Sequence, residues 1–86
     1  MILSNDEIEV ACDALWFVKS RGRADHAQER LWDRLQRLRT GDFGRSAQAE
    51  LDTDEAAAVV RALRFVTDAV RLDEDEERLL QRLELL

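Results

Sequence analysis

Proline and tyrosine are absent from the chain, glycine occurs three times (Gly22, Gly41, Gly44), and cysteine and histidine occur once each. Without proline and with so little glycine, a turn-rich β protein is disfavoured and an all-helical chain is left. A lone cysteine, Cys12, cannot close an internal disulfide, and it cannot build a zinc site with His26 as the only imidazole. No apolar run approaches the ~20 residues that cross a bilayer. The N-terminus, Met1 to Asp6, has neither the basic nor the apolar region of a secretory leader, so a cytoplasmic location is expected.

What is present is charge and leucine. Hydrophobic residues make up 45% of the 86 positions and charged residues 37%, enough of both for a core and a heavily ionised surface. Thirteen basic residues against nineteen acidic ones give a net charge of −6, which opposes non-specific association with nucleic acid or anionic membrane. A chain this short buries only ~60–65% of its unfolded surface, which leaves little material for a deep, fully supported cleft.

Shifted by 48 residues, Leu3–Leu38 aligns with Leu51–Leu86 without a gap, and 15 of the 36 positions are identical. The identities include Asp6/Asp54, Glu7/Glu55, Leu15/Leu63, Phe17/Phe65, Asp25/Asp73, Arg34/Arg82 and Leu35/Leu83, so caps recur as well as core positions. Duplication of a helical hairpin is the reading adopted. Ser4 and Asp52 each stand three residues before a Glu, the capping-box spacing that satisfies free amides at a helix start. Asp25 and Asp73 supply an acid at the start of the second helix of each unit, where it caps amides and opposes the helix dipole.

The expected fold is all-α, a single domain over residues 1–86 resembling a four-helix bundle, with helices at roughly 5–21, 25–39, 53–71 and 73–85. Repeats 3–38 and 51–86 are joined by a linker at 40–51, which Phe43 is expected to pin to the bundle. In the first helix Ile8, Ala11, Cys12, Ala14, Leu15 and Val18 face inward. The third helix turns in Ala56, Val59, Val60, Leu63, Val66 and Val70. Such wide apolar faces suit helices with more than one neighbour. The second and fourth carry narrower stripes, Ala27, Leu31, Leu35, Leu38 and Leu79, Leu83, Leu86. Gly22 is placed to end the first helix in a left-handed conformation, whereas Val70 holds the matching position in the second unit. The hairpins cover one another about a pseudo-twofold axis, or two chains pair through the same faces.

Catalytic patterns are missing. His26 reads as a solvated helix-end residue, Cys12 as a small core hydrophobe, and Asp73-Glu74-Asp75-Glu76-Glu77 as a helix N-terminus without the glycine and ligand spacing of a calcium loop. Neither a phosphate loop nor a dinucleotide fingerprint is present, so no enzyme, cofactor or metal is expected.

Charge is uneven: residues 1–18 carry −4, residues 19–45 carry +4 and residues 46–86 carry −6. The basic stretch spans the second helix, with Arg30, Arg34 and Arg37 along it and an ordinary Asp33–Arg37 pair available at four-residue spacing. Where the units diverge at the surface, Trp16 stands opposite Arg64 and Trp32 opposite Leu80. Trp16 lies beside the polar side of its helix and reads either as a partly exposed anchor or as a boundary residue folded over its neighbours. Trp32 reads as core margin. The expected function is a non-enzymatic protein-interaction module, a small regulator, inhibitor, adaptor or assembly subunit. It binds another protein or itself through Trp16, Lys19, Arg21 and Arg23, extending to Arg30, Arg34 and Arg37. The alternative is a nucleic-acid-binding regulator using the arginine-rich second helix.

Overall fold

The computed structural model describes residues 1–40 and 48–85. In chain order its elements are β1 (Ile2–Leu3), α1 (Asn5–Ser20), α2 (His26–Thr40), β2 (Ala49–Glu50), α3 (Thr53–Ala69) and α4 (Glu74–Glu84). The result is an all-α domain of four packed helices, fastened by one very short antiparallel strand pair. The expected role of Phe43 lies outside the described residues.

Every helix starts on a reciprocal capping box, so its position follows from local sequence. Glu7 N donates to Ser4 Oγ at 3.3 Å while Ser4 N donates to Glu7 Oε1 at 3.0 Å. Asp52/Glu55 and Asp73/Glu76 repeat the arrangement at α3 and α4. At α2 the partner of Asp25 is a glutamine: Gln28 N donates to Asp25 Oδ1 at 2.8 Å, and Asp25 N donates to Gln28 Oε1 at 3.0 Å. An N-cap of this kind is worth ~1 kcal/mol over alanine. Helix ends differ between the hairpins. After α1 the chain turns through Gly22 at φ +68, a conformation that L side chains resist, whereas α3 ends at Val70 in extended backbone.

Helices α1 and α3 form the central pair, each also packing on both outer helices. Their facing sides supply Ile8, Ala11, Cys12, Ala14, Leu15 and Val18 from α1, and Ala56, Ala58, Val59, Ala62, Leu63 and Val66 from α3. Between them Phe17 meets Phe65 edge-on with ring centroids 5.9 Å apart. Leu31 and Leu35 of α2, and Leu79 and Leu83 of α4, close the core from outside. Four expected core positions are corrected. Ala27 is exposed, because the buried residue of that turn is Gln28. Val70 has left the helix and is exposed, and Val60 of α3 and Leu38 of α2 are only partly buried at the core margin. Leu86 lies outside the described residues.

The end of the expected linker is strand. Ile2 pairs with Glu50 and Leu3 with Ala49, and beyond them Leu51 N donates to Met1 O at 2.7 Å. Two arginines lock this pair to the helices. Arg34 donates to Glu50 O at 3.0 Å and forms an ion pair with Glu55 at 2.7 Å. Arg82, 48 residues later, donates to Ile2 O at 3.0 Å and pairs with Glu7. Leu3, Ala49 and Leu51 are buried beneath this strap.

Candidate functional site

Trp16 is 54% exposed on the outer side of α1. It is not an isolated boundary residue. Its ring stacks on that of Trp32 of α2, with centroids 5.7 Å apart and planes inclined by 28°. Lys19, one turn further along α1, places its Nζ 4.2 Å from the centroid of the Trp32 ring. On the other side of the aromatic pair, Arg39 of α2 reaches both Glu9 and Asp13 of α1 at 3.5 Å. The outer edge of the first hairpin thus runs from a carboxylate pair sharing one guanidinium, through two stacked indoles, to an ammonium over an aromatic face. Offset stacking and cation–π contact hold the indoles in one orientation at about 0.5–1.5 kcal/mol each.

The basic residues are distributed over several surfaces. Arg21 leaves the Trp16 ridge and lays its guanidinium over Phe17, 3.7 Å from the ring centroid. Arg23 is exposed in the turn beyond Gly22. Arg34 is spent on Glu55 and the Glu50 carbonyl, at the junction with α3. Arg30 and Arg37 are exposed, but at ~100° per residue they lie roughly 140–160° around α2 from Trp32. Trp16 and Lys19 are therefore brought together with Trp32, while Arg30, Arg34 and Arg37 are carried to the opposite flank. Asp33 and Arg37 make no ion pair among the described residues.

Trp32 is at the core margin as expected, partly buried against the core, but its stacking on Trp16 and the partners of Arg39 were not foreseen from the sequence. A signal for both was available. In an antiparallel hairpin turning near residue 24, positions equidistant from the turn face each other, which pairs Trp16 with Trp32 and Glu9 with Arg39.

The remaining chemistry is sparse. Cys12 is buried, and burial pushes its thiol up to about 11, Arg39 pulling it down and Asp13 and Glu9 pushing it up. That thiol is protonated and inert at neutral pH. His26 is exposed at the first turn of α2. Two concavities form between helices, one of about 570 Å³ between the start of α4 and α1, the other of about 1030 Å³ along α3 and α4. Both exceed what chain length suggested. Both are open grooves, and the first is lined chiefly by carboxylates, among them Asp13, Asp73 and Glu76. Among the described residues no group of three or more His, Cys, Asp or Glu side chains is placed to hold a metal ion, and no helix is long and apolar enough to cross a membrane.

The sequence matches no family model, no curated protein and no solved structure.

Proposed function

We propose that the chain is a non-enzymatic protein-interaction module that binds through the Trp16 face of its first hairpin. The observation that carries this reading is the exposed, stacked Trp16–Trp32 pair with Lys19 across it. Tryptophan beside cationic and acidic groups is the composition of a binding hot spot, and an indole already held in place loses little freedom on binding. At the corresponding place in the second hairpin Arg64 bonds to Glu84 at 3.2 Å, a solvated ion pair that offers no such anchor. Arg23, exposed in the turn beyond Gly22, extends the face at its basic end, while Arg21 is turned aside onto Phe17. Arg30 and Arg37 are secondary, and Arg34 contributes by holding the scaffold.

The divergence of the two hairpins has meaning because we infer that they arose by duplication. Three contacts support that inference. Phe17 meets Phe65, its own counterpart 48 residues on, as side chains on a twofold axis do. Ile2 pairs with Glu50, also 48 residues apart. The Arg34 and Arg82 contacts, described above, map onto one another by the same shift. A cytoplasmic location is part of this proposal.

The test is Trp16→Ala, compared with the intact protein for capture of binding proteins from the native host and for self-association. Loss of about 2 kcal/mol or more of binding energy is expected, with weak dependence on salt. If neither capture nor self-association changes, this surface is the wrong one. Binding to DNA or RNA that weakens steeply with added salt and survives Trp16→Ala would favour the arginines of α2 instead.

A further inference from the structure

We propose that the groove between α1 and the start of α4 binds an arginine of a partner protein, seating its guanidinium between Asp13 and Asp73. This surface adjoins the Trp16 face along α1 and does not depend on it.

The molecule supplies its own comparison. At the junction of α2 and α3, Asp25 caps α2 through Gln28 and also takes the guanidinium of Arg61, 3.0 Å away on the neighbouring helix. Asp73 caps α4 in the same way through Glu76. It makes no ion pair among the described residues, and the residue of α1 at the place of Arg61 is Asp13. One junction thus shows which group such a capping aspartate accepts from across the helices. The other holds a second acid where that group would come from, so the cation has to be supplied by another molecule.

There is room for it. A groove of about 570 Å³ opens between the two helices. Asp6, Val10 and Asp13 follow one another along its α1 wall at four- and three-residue spacing, and Glu76 and Leu79 line it from α4. Half-buried Val10 and buried Leu79 offer an apolar strip to the methylene stem of a long side chain, whose charged head then reaches the carboxylates. Seven carboxylates line the groove against two guanidiniums. Both guanidiniums are already engaged, Arg78 with Glu74 and Asp75, Arg82 with Glu7 and the Ile2 carbonyl. Asp13 has only a share of Arg39, divided with Glu9 at 3.5 Å. Burial raises Glu76 above the ordinary carboxylate range, and Asp73 and Asp13 add repulsion, as acids do when no cation lies between them. Among the described residues no three of these acids gather around one point as a metal ion requires. A planar guanidinium, which forks between two oxygens, suits carboxylates that stand on separate helices.

The test is titration with a fluorescent, alanine-based helical peptide of about 12 residues bearing arginines one turn apart, followed by anisotropy at about 50 mM salt. Saturable binding is expected, weaker by about threefold when lysine replaces arginine in the peptide. Asp13→Arg supplies the cation from within the chain and should weaken binding about tenfold or more. Asp73→Asn keeps a capping side chain while removing its charge, and should weaken binding about threefold. Asp68→Asn, the same loss of charge on the exposed side of α3, should change nothing. Each variant should keep the far-ultraviolet spectrum and cooperative unfolding of the parent. Absence of binding overturns the proposal, as does an Asp13→Arg protein that binds like the parent. If Asp68→Asn weakens binding as much as Asp73→Asn, or lysine serves as well as arginine, the peptide responds to net charge alone and the proposal fails.

Discussion

The two junctions that join one hairpin to the other have the same architecture and opposite electrostatics. Where α2 meets α3, Gln28 is 4% exposed and donates its Nε2 to Ala58 O at 3.1 Å, and Arg61 pairs with Asp25 at 3.0 Å. Where α1 meets α4, the residues 48 positions away are Glu76, Val10, Asp13 and Asp73. In place of the amide donor stands a carboxylate, and in place of the guanidinium another. Burial raises Glu76 above the usual carboxylate range, with Asp73 and Asp13 adding repulsion against the one backbone amide that lowers it. The same helix-capping box thus serves in one junction as a buried polar bridge and in the other as the wall of an acidic groove. A capping box needs only an acceptor, which Glu and Gln both provide; a bridge between helices needs a donor, which only Gln provides at neutral pH.

The largest effect is expected from carrying the acid into the bridged junction. Gln28→Glu removes the side-chain donor to Ala58 O and buries a carboxylate against that carbonyl, and should cost about 2–3 kcal/mol at pH 7 in urea unfolding. The loss should shrink as pH falls, since a protonated carboxyl donates again. An unchanged stability would mean that the bridge contributes nothing.

The reverse exchange, Glu76→Gln, should stabilise by about 1 kcal/mol at pH 7, read from the same unfolding curves. It should also alter the pH profile. With its folded value raised, Glu76 contributes stability that is complete below the unfolded value of 4.5 and is lost as pH rises through the folded value. Removing that group should steepen the decline of stability on acidification.

Glu7 acts in the opposite sense at the same junction. Burial would raise it, but the Arg82 guanidinium and the Ser4 amide outweigh burial and hold it below the usual range. Its stabilisation is present above the unfolded value of 4.5 and is lost as pH falls through the folded value. Glu7→Gln should therefore flatten the acid limb, at a cost of about 0.5–1 kcal/mol at neutral pH, because the Arg82 pair is partly solvated. Thermal unfolding across the acid range separates it from Glu76→Gln by the direction of the change.

Smallest of all is Asp13→Arg, which offers Asp73 the partner that Arg61 gives Asp25. An exposed pair of this kind should add at most about 0.5 kcal/mol. Its melting temperature should nonetheless move upward, and a decrease would show that Asp13 matters more to Arg39 than to Asp73.

The architecture was largely legible because its signals are local. Ser4, Asp25, Asp52 and Asp73 mark the helix starts, and the observed bounds fall within two residues of those expected. Ala27 and Gln28 show where such reading fails. Periodicity assigns the alanine to the core by its apolar character, yet the core takes the glutamine, whose amide finds a carbonyl on another helix. The candidate surface was legible in part. Trp16 stood out because its counterpart is Arg64, and Lys19 because it lies one turn away, but Arg30, Arg34 and Arg37 were grouped with them from charge alone. Around α2 those three share the flank turned away from Trp32, and pairing with Glu55 claims Arg34.

By itself the sequence determined the helices, their caps, the Gly22 turn and the side of each helix that avoids water. These depend on residues one to four positions apart, whose relative placement the helical backbone fixes in advance. Tertiary structure alone decided that Trp16 rests on Trp32, that Ile2 and Leu3 pair with Glu50 and Ala49, and that Arg82 reaches a carbonyl 80 residues away. Such contacts join segments whose separation the backbone leaves open until the core closes, so their energy depends on how whole helices are seated against one another.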